Sequence, residues 1–331
     1  MCAGLGVLAV VGLLASPSPA AESSPYAKAM AAYQDRRLDE ALQQAQEAVR
    51  QEPGHVDARA LLGELYYLRQ ELSQAQEQWE QALKLAPSRA DIRQRLDRLQ
   101  REAPLERDLK HSDTYPFVVR FAEGQVPVEL GALRQLLREA YRLVGQQFSY
   151  FPDHPISVLL YPGAGFEQVK GVSHQIGGLY DGKIRLPLRS GDQAGRELER
   201  VFRHEYTHAI VHDLAKGNCP IWLNEGIATL QEARVSTPNL SEFRAAVAAG
   251  RPIPWAQLWR EQYENGSLSL RYQEAYTIAQ YLVKRGGWSQ LVGLLQRLGW
   301  GVPINDALKA EYHEEPAVLE HDWLLWARRE G

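Results

Sequence analysis

The chain has 331 residues, of which 45% are hydrophobic and 24% are charged. This composition is that of a globular protein with enough residues for about two domains. The net charge of -4 at pH 7 is not accompanied by a basic stripe, which argues against nucleic-acid binding.

The N-terminus predicts a secretory signal peptide over residues 1–20. Residues 3–15 are an apolar run too short to span a bilayer, and small residues and prolines follow it. Cleavage after Ala20 would leave Cys219 as the single cysteine, so no internal disulfide could form. We therefore expect export to the periplasm or secretion and no transmembrane span in the mature chain. The alternative is an uncleaved membrane anchor, since a basic segment before the apolar run is missing.

A repeat of 34 residues becomes visible over residues 22–102 when Pro53 is aligned with Pro87. Its second copy matches the tetratricopeptide pattern at Leu62, Gly63, Tyr66, Ala75, Trp79, Ala82 and Pro87. Its first copy has Ala29, Ala41, Ala45, Ala48 and Pro53 in register, and a helix over about residues 88–102 would cap the stack. Such repeats predict either a surface for a peptide or partner protein, or a spacer or brace packed on the next domain.

The segment 103–113 contains a proline and many charges, which is typical of a linker. Beyond it the sequence predicts strands at 116–121 and 156–161 with an amphipathic helix at 130–148 between them. Residues 177–187 are predicted to form a hairpin around Asp181-Gly182.

The run His204-Glu205-Tyr206-Thr207-His208 lies in a predicted helix over 198–214. Positions i and i+4 project from one face of a helix, so both imidazoles can bind one ion with Glu205 beside it. This is the H-E-x-x-H pattern of zinc peptidases. The pattern can also arise by chance in a buried helix, but two histidines and a glutamate are costly to bury unless a group such as a metal satisfies them. A catalytic zinc site needs a third protein ligand, which Glu225 offers if a second helix packs against the first.

Together with Trp222-Leu223-Asn224-Glu225-Gly226, the run resembles the gluzincin metallopeptidases, and among them the bacterial peptidase MA-like domains. The resemblance implies an α+β, zincin-like catalytic domain over 114–331 with a small sheet and a helical lobe, behind an all-α repeat domain. It further implies that His204, His208 and Glu225 bind Zn²⁺ and that Glu205 is the general base. The spacing of Tyr272, or else Tyr276, resembles that of a tyrosine that stabilises the tetrahedral intermediate in this clan. The alternative for either tyrosine is a packing role with its hydroxyl at the surface.

Several residues near the motif leave alternatives open. His212 lies one turn beyond His208, where we expect an outer-shell or helix C-terminal role, and Asp213, Asn224 and Thr229 are the nearest polar candidates to orient the imidazoles. The six tryptophans of the C-terminal third are expected in the core or in lobe contacts: Trp255, Trp259, Trp288, Trp300, Trp323 and Trp326.

Three functions are compatible with these residues. The first is an exported zinc endopeptidase, favoured over an aminopeptidase because the G-x-M-E-N signature of the clan's aminopeptidases is missing upstream of His204. The second is a zinc amidase acting on peptidoglycan peptides, and the third is a repeat adaptor with a structural zinc. A structural site normally has a fourth protein ligand, for which Cys219 or His212 would be the candidate.

Overall fold

The computed structural model describes residues 24–122, 130–170, 178–188, 194–258 and 267–330. Within these ranges the chain forms two compact units. One comprises the repeats and a sheet, from residues 24–122 and 153–188, and the other comprises residues 130–152 and 194–330. The predicted signal peptide lies outside the described residues. None of the described helices combines the length and the apolar character that a membrane span requires.

The repeats of the first unit are helix pairs followed by one further helix. Their bounds are α1 Pro25–Gln34, α2 Leu38–Gln51, α3 Val56–Leu68, α4 Leu72–Leu85 and α5 Ala90–Glu106. Gly63 of α3 allows close packing, because a Cβ there would lie 2.4 Å from the Trp79 indole of α4. The indole is fully buried and donates a hydrogen bond to the carbonyl oxygen of Ala60 at 3.1 Å. The small residue and the aromatic residue of the repeat pattern therefore pack as the sequence predicts.

The segment 103–113 is not the irregular linker expected from its charges. Helix α5 continues through Pro104 to Glu106, and the first strand begins at Lys110. Glu106, one of the charges of this segment, is buried and paired with Arg185, as is Glu102 just before the segment. This part of the segment therefore belongs to the interior. The other predicted domain bounds stay predictions.

A five-stranded sheet completes the first unit within the described residues. Its strands are β1 Lys110–Thr114, β2 Phe117–Phe121, β3 Ile156–Pro162, β4 Leu179–Tyr180 and β5 Ile184–Leu188, and helix α7 Gly163–Lys170 follows β3. The order is β1-β2-β3-β5-β4, with β2, β3 and β5 parallel and both edge strands antiparallel to their neighbours. The central strand β3 is almost wholly apolar because parallel strands are usually covered on both faces. The predicted hairpin is present as β4 and β5, joined at Asp181–Lys183.

Helices form the second unit within the described residues. Their bounds are α6 Leu130–Phe148, α8 Ala194–Ala215, α9 Ile221–Glu232, α10 Ser241–Ala248, α11 Trp255–Leu258, α12 Leu268–Gly299, α13 Ile304–Tyr312 and α14 Pro316–Glu330. Helix α6 buries one face through residues three or four apart: Leu133, Leu137, Ala140, Val144 and Phe148. Helix α12 is interrupted at Gly287, whose φ of 72° lies in the left-handed region that glycine adopts easily.

The tryptophans of this unit divide between core and surface. Trp255 packs between Trp222 and Trp323, and Trp326 is also buried. Trp300 was predicted to be a core or lobe contact, but it is 72% exposed because it follows the last turn of α12. Trp288 contacts Phe148, and Trp259 lies outside the described residues.

Candidate metal centre

Two packed helices, α8 and α9, bring the three predicted ligands together. His204 and His208 stand one turn apart on α8, with ring centroids separated by 4.8 Å, and Glu225 projects from α9. One ligand atom from each of the three residues lies within 4.8 Å of the others. The side chains of His204 and Glu225 remain 16% and 24% exposed, so solvent reaches the group.

The spacing of the donor atoms fits a tetrahedral zinc ion. The distance from Nε2 to a carboxylate oxygen of Glu225 is 3.5 Å for His204 and 3.8 Å for His208. Ligand atoms bound to zinc at about 2.0 to 2.1 Å lie roughly 3.3 Å apart in a tetrahedral arrangement. Two imidazoles and one carboxylate can therefore bind one ion with a small inward adjustment.

Outer hydrogen bonds orient both imidazoles with Nε2 toward Glu225. Nδ1 of His204 lies 2.9 Å from a carboxylate oxygen of Glu232, and Nδ1 of His208 lies 2.9 Å from the amide oxygen of Asn224. Acceptors at Nδ1 require the proton to be there, which leaves Nε2 as the metal-binding atom.

Glu232 was not identified from the sequence, although Asn224 was among the candidates. The signal was present, because Glu232 lies seven residues after Glu225 and so two turns along the same face of α9. Arg200 of α8 pairs with the other carboxylate oxygen of Glu232, and Glu197 holds Arg200 at 2.7 Å. A chain of charges thus runs from Glu197 to the imidazole of His204.

The electrostatic environment of the group keeps Glu225 ionised. Burial alone would raise the pKa of Glu225, but His208, His204 and a hydrogen bond from Tyr272 outweigh it and lower the pKa. Burial lowers the pKa of His208. Burial also acts to lower the pKa of His204, but hydrogen bonding to Glu225 and the charge of Glu205 raise it overall. A charged carboxylate and a neutral imidazole are the forms that bind metal ions.

Two further predicted residues lie close to the ligands. Glu205 follows His204 in α8, and its side chain is buried. It lies near enough to His204 for its charge to raise the pKa of that imidazole. Tyr272 of α12 donates its hydrogen bond to Glu225, which places a phenol hydroxyl at the group. Tyr276 lies one turn further along α12, buried, and among the described residues its hydroxyl makes no hydrogen bond to a ligand residue.

The remaining candidates lie away from the donor atoms. His212 is in the last turn of α8, where the backbone N–H of Gly217 donates to its carbonyl oxygen, as expected for a helix C-terminal position. The carboxylate of Asp213 accepts a hydrogen bond from the Tyr150 hydroxyl at 3.2 Å and thus orients a different side chain. Neither His212 nor Cys219 belongs to the donor group of the described residues, and burial raises the pKa of the Cys219 thiol. Three protein ligands and an accessible side are typical of a catalytic zinc site.

Residues 196–329 match the family model described as Peptidase MA superfamily, and residues 32–101 match the one described as Tetratricopeptide repeat. The chain therefore carries a Peptidase MA superfamily domain that follows tetratricopeptide repeats along the sequence. The suspected family and the α+β fold class are confirmed. No curated protein matches this chain. The Peptidase MA match begins near the start of α8 and contains both histidines, Glu225 and Tyr272.

Proposed function

We propose that this protein is a zinc-dependent endopeptidase, with His204, His208 and Glu225 as the metal ligands. The observation that carries the proposal is the convergence of two imidazoles and one carboxylate, whose donor atoms lie within 4.8 Å of one another, with the outer nitrogens of both imidazoles hydrogen-bonded. Membership of the Peptidase MA superfamily supports it, since peptidases of this clan are generally zinc-dependent.

The roles of the residues follow from their chemistry. Zinc bound by this group would supply a Lewis acid that polarises the scissile carbonyl and acidifies water. Glu205 would accept the proton of the attacking water and transfer it to the leaving amine, as a carboxylate within hydrogen-bond reach can. Tyr272 would donate its hydroxyl hydrogen to the oxyanion that develops on the substrate. Glu232 and Asn224 would hold the imidazoles in the productive tautomer.

An endopeptidase is favoured over an aminopeptidase because the chain lacks the glycine-rich signature with which related aminopeptidases hold a free amine. An endopeptidase would act on a protein or peptide substrate. Export remains part of the proposal, supported by the apolar leader at residues 3–15, and N-terminal sequencing of the secreted chain would detect cleavage after Ala20.

The test compares the wild-type protein with Glu205→Gln. Zinc content is measured by mass spectrometry of the metal, and hydrolysis is measured with an unstructured protein as substrate. We expect one zinc per chain in both proteins and a loss of activity of about 100-fold or more in the variant, because the amide cannot accept the proton.

The outcomes separate the parts of the proposal. Zinc in both proteins with equal cleavage would exclude Glu205 as the base. Zinc in both with no cleavage by either would refute a general endopeptidase, and absence of zinc from the wild type would refute the metal centre itself.

A further inference from the structure

The β4–β5 hairpin docks on one end of the tetratricopeptide repeats. We call this surface the repeat end face and define it by Tyr67, Leu68, Gln70, Glu102 and Glu106. These residues come from the end of α3, the turn after it, and the last turns of α5. The hairpin contributes Asp181, Gly182, Lys183 and Arg185, and both partners belong to the same compact unit.

Arg185 is the centre of the contact and is completely buried. Its guanidinium lies 3.1 Å from Glu102 and 3.4 Å from Glu106, and it donates to the Tyr67 hydroxyl at 2.5 Å. It also pairs with Asp181 of its own hairpin. A single side chain of the sheet thus contacts three residues of the repeats.

Lys183 makes a second set of contacts with the same face. Its ammonium lies 3.5 Å from the centroid of the Tyr67 ring and 3.7 Å from Glu106, and it donates to the side-chain oxygen of Gln70. Its side chain is as deeply buried as that of Arg185. A cation over an aromatic face is attracted most strongly when water is excluded.

Acidic and basic groups are equal in number at the contact. Glu102, Glu106 and Asp181 supply three carboxylates, and Arg185, Arg98 and Lys183 supply three basic groups, with Arg98 2.9 Å from Asp181. Burial lowers the pKa of Lys183 to about 7, so the two arginines carry most of the positive charge. Burying a charge without its partner is expensive, so such a set selects a partner with the matching pattern. Exposed pairs such as Arg142 with Glu139, both about half exposed, carry no such selectivity.

Shape complements the charges. A Cβ at Gly182 would lie 2.6 Å from Cδ2 of Leu68, so the turn of the hairpin approaches the repeats as closely as a glycine permits. Its φ of 97° is also one that glycine adopts easily. Beside the charges, Leu105 packs on the apolar cluster of Tyr161 and Phe166.

We propose that the repeat end face is an intramolecular docking surface whose ligand is the β4–β5 hairpin, so that the repeats serve as a fixed support of the sheet and do not offer this face to a separate partner. Any external protein would then bind the repeats elsewhere. This inference stands independently of the zinc chemistry.

The test cuts the full chain after it has folded. A protease recognition sequence is inserted between Arg107 and Asp108, which are exposed in the turn between α5 and β1. The cut protein is then passed over a size-exclusion column under native conditions. We expect the repeat fragment to co-elute with the rest of the chain, because the buried contacts hold them together without the covalent bond.

Two variants show whether the charges are responsible. In the cut Arg185→Met protein we expect the fragments to separate, since removal of one buried partner weakens the association by about 100-fold or more. Arg142→Met is the matched control, because it removes an arginine from an exposed pair and leaves the contact intact. Circular dichroism before cutting verifies that each variant is folded.

A second variant covers the case in which Arg185→Met does not fold. Arg98→Asp should separate the cut fragments, because it replaces a cation beside Asp181 and Glu102 by a carboxylate. Separation of the cut wild-type fragments would overturn the proposal, and so would co-elution of the cut Arg98→Asp protein. Tight binding of a synthetic peptide of residues 178–188 to the uncut wild type would overturn it too, because the face would then be open.

Discussion

At the scale of single residues, the candidate metal centre depends on two imidazoles that the helical repeat places on one face of α8. His204 and His208 are four residues apart, so α8 places both imidazoles on one face without help from any other element. Their Nε2 atoms are directed toward Glu225 because Glu232 and Asn224 are hydrogen-bonded to Nδ1. Position along the helix also separates the two tyrosines of α12. Tyr272 contacts Glu225, whereas Tyr276 lies one turn further along.

Replacement of Tyr272 by phenylalanine should lower kcat by about 100-fold, because one donor to the oxyanion is lost. Zinc content should remain at the wild-type level, since Glu225 keeps its imidazole neighbours. Tyr276→Phe is the matched control and should change kcat by a small factor only. Steady-state kinetics on one peptide substrate would measure both, and a larger effect at Tyr276 would reverse the assignment.

Replacement of Glu232 by alanine should weaken zinc binding by about 10- to 100-fold, as is typical when the outer partner of a ligand histidine is removed. Competition with a chromophoric chelator gives the dissociation constant. Glu139→Ala serves as control, because Glu139 forms an exposed pair with Arg142 and contacts no imidazole. Equal affinities for the two variants would contradict the orienting role of Glu232.

At the scale of elements, the position of Glu225, the proposed third ligand, depends on how closely α9 packs on α12. Gly226 follows Glu225 directly, and a Cβ on Gly226 would lie 2.2 Å from the carbonyl oxygen of Ala275. No rotamer relieves a clash between a Cβ and a backbone atom, so the helices could accommodate it only by moving apart. The glycine thus sets the separation between Glu225 and Tyr272.

We expect Gly226→Ala to destabilise the protein by about 1 to 3 kcal/mol and to weaken zinc binding, because the clash displaces α9. Thermal unfolding and zinc titration measure the two effects. Gly131→Ala is the control, since a Cβ at this exposed position on α6 meets no atom within 4 Å. That variant should be as stable as the wild type or slightly more stable. Unchanged unfolding of Gly226→Ala would show that α9 and α12 tolerate a wider separation.

At the scale of the whole molecule, both units bury carboxyl groups. Those of the first unit pair with cations, and the one at Glu274 in the second unit pairs with a backbone N–H. The first unit balances its buried carboxylates with cations, as at Glu102 and Arg185. In the second unit, Glu274 is completely buried and accepts the N–H of Ile253 at 2.8 Å. Burial, and to a smaller extent the nearby Glu320, raise the pKa of Glu274 to about 8 against the lowering effect of that hydrogen bond.

The raised pKa makes stability fall as the pH rises. The folded protein keeps the Glu274 proton up to about pH 8, whereas the unfolded chain loses it near the ordinary value of 4.5, so unfolding releases a proton between these values. Glu274→Gln removes this dependence and retains an acceptor for Ile253. Its stability relative to wild type should increase between about pH 5 and 8, by at most about 1.4 kcal/mol per pH unit.

Urea unfolding of the metal-free proteins at several pH values tests this. Glu242→Gln is the control, because Glu242 is exposed and its hydrogen bonds with Ser267 and Ser269 lower its pKa. A constant difference between Glu274→Gln and wild type across the range would mean that Glu274 is ionised in the folded protein.

The sequence alone was sufficient wherever spacing along one element carries the information. Histidines four residues apart must share a helix face, a 34-residue period must build helix pairs, and Asp181-Gly182 between apolar residues favours a hairpin. The two family matches confirm the inferences on family and fold class. Roles for individual residues, export and cleavage preference stay predictions.

Only the tertiary structure decided which distant residues meet. Glu232 reaches His204 because α8 and α9 pack side by side, and Tyr272 rather than Tyr276 contacts Glu225 because Tyr276 lies one turn further along α12. The charges of 103–113 suggested a linker, yet Glu106 of that segment is buried, together with Glu102 before it, by a hairpin some eighty residues later in the chain. The hydrophobic periodicity of the sequence indicates which face of a helix or strand is apolar. It does not indicate which charges pair across elements, because pairing depends on how the side chains meet in space.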